Sequence, residues 1–129
     1  MRAALLILLG LVIGIVGTVP VMNALNARNP LPKAVMTTMN YHMHQLTGAL
    51  KGQRCEAASM QDSLQHMQVI ASDIQAAFPG APQAFVDDAA HLRDALQSAV
   101  QAAPADCAAL AAAIKPVGKA CQSCHQQFR

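Results

Sequence analysis

From residue 33 to the C-terminus, apolar side chains return every three or four positions through four successive segments. A strand alternates its side chains with a period of two, so this spacing predicts helices with one apolar stripe each. The first stripe holds Met36, Met39, Met43, Leu46 and Leu50, and the second holds Met60, Leu64, Met67, Ala71, Ile74 and Phe78. The third holds Phe85, Ala89, Leu92, Leu96, Ala99 and Ala103, and the fourth Cys107, Leu110, Ile114, Val117, Cys121, Cys124 and Phe128. Asn29-Pro30-Leu31-Pro32 marks a helix start, while Lys51 to Arg54, Pro79-Gly80 and Pro104 break the pattern between segments. Short breaks make neighbours antiparallel, so the expected fold is all-α, an antiparallel up-down-up-down four-helix bundle. Pro116 falls inside the fourth segment, where it is expected to kink the helix or remove one hydrogen bond near Ala112.

The fourth stripe ends in Cys121-Gln122-Ser123-Cys124-His125, the Cys-x-x-Cys-His pattern of covalent c-type haem attachment. Two thiols three residues apart on a helix face the same way and suit the two vinyl groups of one porphyrin, with His125 as the proximal iron ligand. A redox-active dithiol or half of a zinc site uses the same two cysteines. Zinc needs a second ligand pair at similar spacing, and Cys55 and Cys107 stand apart; a thioredoxin-type motif follows a strand and opens a helix, whereas this one closes a helix. Both motif cysteines fall on the core stripe, so the single haem c is expected between helices.

Ahead of the bundle, Arg2 precedes an uncharged apolar run from Ala3 to Met22. Such a run reads as an apolar export or anchor helix, with its N-terminus in the cytoplasm and the rest outside. The expected organisation is therefore a signal peptide or membrane anchor over 1–22, a linker over 23–30 and a four-helix-bundle c-type haem domain over 31–129. The protein is expected in the periplasm, held at the membrane through the N-terminal segment if that segment is uncleaved.

Lys and Arg number 9 against 7 Asp and Glu, and aromatics make up 3% of the chain, so neither a basic face nor a stacking platform for nucleic acid is present. An oxidising compartment also bears on Cys55 and Cys107, at the starts of the second and fourth helices. In an up-down-up-down bundle both fall at the end remote from the haem, which predicts a disulfide between them.

The segment Val117-Gly118-Lys119-Ala120-Cys121-Gln122-Ser123-Cys124-His125, with Phe128-Arg129 following, and Val35-Met36-Thr37-Thr38-Met39 near the first helix start resemble the class II cytochromes c, the cytochrome c prime family. The similarity spans roughly Leu31 to Arg129, and its haem end is the specific part. The resemblance implies a four-helix bundle with His125 as proximal ligand, Met36 over the distal haem face and Arg129 near the proximal histidine. Where the family often carries an Arg one turn before the distal residue, this chain has Pro32, with Lys33 beside it.

Position supports Met36 independently, because a residue early in the first helix lies level with one late in the fourth. Met39 stands about 4.5 Å higher at 1.5 Å per residue. Met36 is thus the expected distal residue and a candidate iron ligand, with methionine packing as the plain alternative. His42, His44, His66 and His91 are expected at the surface, His42 being the one weighed as an iron ligand. Lys119 and Arg129 suit the negative end of their helix and can pair with haem propionates.

The expected function is an electron carrier, not an enzyme, cycling Fe(III) and Fe(II) with redox partner proteins outside the cytoplasmic membrane. The alternative is a five-coordinate haem protein that binds nitric oxide or carbon monoxide. A peroxidase is disfavoured because no distal His with a carboxylate partner stands out. A homodimer is compatible with either reading.

Overall fold

Between Leu31 and Gln127 the chain runs through α1 (Leu31–Lys51), α2 (Ala57–Ser72), a single-turn α3 (Ile74–Ala77), α4 (Gln83–Ala102) and α5 (Cys107–Gln127). This computed structural model describes residues 29–128 together with Ile7, Gly10, Leu11, Val12 and Gly14. The expected export or anchor helix and most of the linker lie outside the described residues, as does Arg129. Among the described residues there is no strand, and no helix is long and apolar enough to cross a membrane. Residues 32–129 form one compact unit, which carries the packed helical core.

Local chemistry sets the helix ends. Pro32 sits in the first turn of α1, where no backbone N–H is needed. The carboxylate of Asp106 accepts a hydrogen bond from the Ala109 N–H at 2.8 Å and caps α5. Ala103 ends α4 in the left-handed region, φ 42°, and Pro104 follows it. Thr38 and Thr47 return their hydroxyl protons to the carbonyls of Ala34 and Met43, so α1 carries them without loose donors. The helix α5 runs through Pro116 without interruption. Pro116 and Ala112 are both exposed, so water can serve the carbonyl that the proline leaves unpaired. The second segment, one stripe in sequence, is divided at Asp73 into α2 and α3.

Contacts between helices show how they run. Gln61, early in α2, donates to the Val100 carbonyl late in α4 at 3.3 Å; Phe85, early in α4, meets Phe128 at the end of α5 with ring centroids 5.5 Å apart. The rings of His42 and His66 stack at 5.1 Å between α1 and α2, each nine residues from the connecting turn. These are the contacts of antiparallel neighbours. The closest backbone approaches join α4 to α5 and α2 to α4. Ala89 and Ala99 on α4 and Ala113 and Ala120 on α5 contribute to the shared core, and small side chains permit such approach.

Leu46, Met60, Leu64, Met67, Leu96, Leu110 and Val117 are fully buried at the centre. Of the expected stripes, Met36, Met43, Cys121 and Cys124 are only half-buried, and Val35 is buried in the first helix instead. The reason is that these four side chains face a cavity near the end of α5.

At the far end Cys55 and Cys107 have Cα atoms 5.2 Å apart and their sulfurs are joined, linking the starts of α2 and α5 across a separation of 52 residues. Such a link restricts the unfolded chain by closing a long loop. Replacing both cysteines by serine should lower stability by about 2–4 kcal/mol, read as a lower denaturant midpoint with a steeper slope, because the unfolded chain then exposes more surface.

His42 gives a second expectation. Its Nδ1 is buried without a partner, while His66 Nδ1 lies 2.9 Å from the Asp62 carbonyl oxygen and 3.5 Å from its carboxylate. Burial first, and then the neighbouring His66, holds the His42 ring below the ordinary histidine range, with Asp62 opposing. The unfolded chain therefore takes up this proton first as pH falls. Stability from the neutral ring is present above the unfolded value of about 6.5 and is lost as pH drops from there through the lowered folded value. Denaturant midpoints should fall over that window, and His42→Gln should flatten the dependence.

Candidate haem site

The helix α5 delivers its chemistry through a three-four spacing. Gly118, Cys121, Cys124 and His125 share one face and line a cavity of about 350 Å³. Its opposite wall comes from Met36, Met39, Asn40 and Met43 on α1. Met67 on α2, Ile74 on α3 and Asp88, Ala89 and Leu92 on α4 complete it. The volume lies within the ~300–1,000 Å³ usual for cofactor sites. The wall is almost wholly apolar, with Asp88 and His125 its ionisable groups besides the two thiols.

These residues suit covalent haem. Cys121 and Cys124 are free thiols, both half-buried, one turn apart on the face that borders the cavity. His125 follows directly and lines the same space, though much of it remains exposed. At Gly118, a turn before Cys121, an added Cβ would meet nothing within 4 Å. Glycine inside a helix is destabilising by roughly 0.5–1 kcal/mol relative to alanine. Protein packing does not require it here, whereas a flat group seated beside α5 uses the room.

Burial raises the thiol pKa of Cys121 above its ordinary value, partly offset by a backbone hydrogen bond and reinforced by Cys124. Burial also raises that of Cys124, and Asp88 pushes it the same way. Both sulfurs are therefore held in the protonated form, which oxidises less readily than a thiolate.

Of the residues expected from sequence, Met36, Cys121, Cys124 and His125 come together around this cavity, Met36 from the start of α1 and the others from the end of α5. Met39 lines it too, whereas His42 packs against His66 and Tyr41 between α1 and α2. Arg129 lies outside the described residues. Sequence reasoning missed Asp88, Asn40, Gly118 and Gln122 as lining residues. A signal for Asp88 existed: it lies three residues after Phe85 and four before Leu92, on the buried stripe of α4.

A helical bundle that presents two thiols and an imidazole from one helix to an apolar cavity is a covalent haem-binding bundle. The family model described as cytochrome c′ matches residues 31–129, and the chain belongs to that family. No curated protein and no solved structure matches the chain. Membership implies covalently bound haem c, in keeping with Cys121, Cys124 and His125.

Matured protein should retain its haem through acid-acetone extraction, because thioether bonds survive that treatment. Cys121→Ala with Cys124→Ala should release all of it, as measured by haem absorbance in the organic phase.

Proposed function

We propose that the protein is an electron carrier holding one haem c, in an up-down-up-down four-helix bundle outside the cytoplasmic membrane. The observation that carries this reading is that Met36 borders the same cavity as His125, so an imidazole and a thioether are both available to one iron. The haem supplies a one-electron Fe(III)/Fe(II) couple when bound.

The chain's own residues do the rest. Cys121 and Cys124 would hold the porphyrin through thioether bonds, and His125 would offer an imidazole nitrogen to its iron. The Met36 sulfur is a soft donor suited to haem iron and to stabilising its reduced form. Met39, Met67 and Leu92 are buried at the wall and exclude water, so fewer solvent dipoles reorient when the charge changes. Gln122 and His125 are exposed at the cavity margin, which leaves an edge where a redox partner protein can approach. The oxidised pair Cys55–Cys107 suits an oxidising compartment, the same environment in which the N-terminal apolar run would place the domain.

Gas binding needs the distal face free, and one substitution separates the two readings. Met36→Ala should convert a low-spin spectrum to a high-spin one and lower the reduction potential. A spectrum and potential identical to those of the wild type would favour the five-coordinate, gas-binding protein.

A further inference from the structure

The Oδ2 atom of Asp88 is buried and has no hydrogen-bond partner, although the residue lies in the wall of the cavity. A buried acceptor without a donor is destabilising, and more so when it carries charge. Such a group suggests a partner that forms only once the site is filled.

The register of α4 and α5 indicates which donor that is. Phe85 and Phe128 meet edge to face at 5.5 Å. Because the helices run antiparallel, three residues forward from Phe85 and three back from Phe128 both lead about 4.5 Å away from that contact, in the same direction. Those steps end at Asp88 and His125, and both line the cavity.

The other polar donors of the wall are the amides of Asn40 and Gln122. Both residues are exposed and can turn to water. His125 is exposed as well, but an imidazole held by a bond to iron would have a fixed ring, and its one remaining N–H would favour a fixed acceptor.

We infer that Asp88 is the positioning partner of His125, accepting through Oδ2 the ring N–H that iron ligation leaves over. This role rests on the proposed haem function, with His125 as the proximal ligand. The carboxylate fixes the ring plane and makes the imidazole a stronger donor to iron, which favours the oxidised state. It also keeps a negative charge in an apolar wall close to the metal, and that acts in the same direction.

The test uses the matured holoprotein. Asp88→Asn should raise the reduction potential, and in ferrous protein labelled with ¹⁵N-histidine the His125 ring N–H should exchange faster with solvent. Asp87→Asn is the control for overall charge, since Asp87 is exposed and paired with Gln83 at 2.9 Å; it should leave both readouts unchanged. If Asp88→Asn does not mature, Asp88→Ala carries the same expectations without a stranded amide. Potential and exchange rate equal to the wild type in a haem-loaded Asp88 variant would overturn this inference and leave the haem reading intact. A shift in potential without faster exchange would overturn it too, since charge alone produces that result. Wild-type protein lacking covalent haem would overturn the functional reading and this inference with it.

Discussion

The close packing of α4 against α5 governs the rest of the molecule. Alanines in the shared core bring these backbones near, whereas α1 contributes methionine and leucine and makes fewer close backbone approaches. Four helices with different standoffs cannot fill the space between them evenly. The deficit collects where the end of α5 faces the start of α1, and glycine at position 118 enlarges it. An apolar wall of methionines around a void is poor packing for a bare protein, because each missing contact forfeits dispersion energy. It is good packing for a flat, largely apolar cofactor.

The two ends of the bundle are accordingly built by different means. Remote from the cavity, the Cys55–Cys107 link ties the starts of α2 and α5, so order there does not depend on anything the site holds. At the cavity end, three phenylalanines pack in series, Phe78 on Phe85 at 5.0 Å and Phe85 on Phe128 at 5.5 Å. This cluster fixes the height of α5 against α4, and with it the level of His125. The arrangement puts rigid elements behind each group that would hold the haem, as a preorganised cofactor site requires.

Charge is handled sparingly around the site. Burial keeps Cys121 and Cys124 as neutral thiols, and Asp88 adds to that effect at Cys124. A carboxylate placed on the buried stripe of α4 would be a fault in an ordinary core. Beside an imidazole whose proton needs an acceptor, it completes the site.

The number of main helices and most of their ends are legible in the chain itself, because a three-four apolar spacing admits one regular structure and Pro and Gly break it between segments. So is the attaching triad, since Cys121, Cys124 and His125 lie within five residues of one helix and their relative positions follow from helical geometry alone. Met36 and the pairing of Cys55 with Cys107 were legible at one remove, through an assumed up-down order of helices. Which stripe residues stand half-exposed at a cavity and not buried, as Met36 and Met43 do, emerged from the packing of the helices. Nor could sequence alone place Asp88 in the wall of the cavity that His125 lines, or divide the second segment at Asp73. Each of these depends on the distance and axial register between helices, and those are set by side chains far apart in the chain packing against one another.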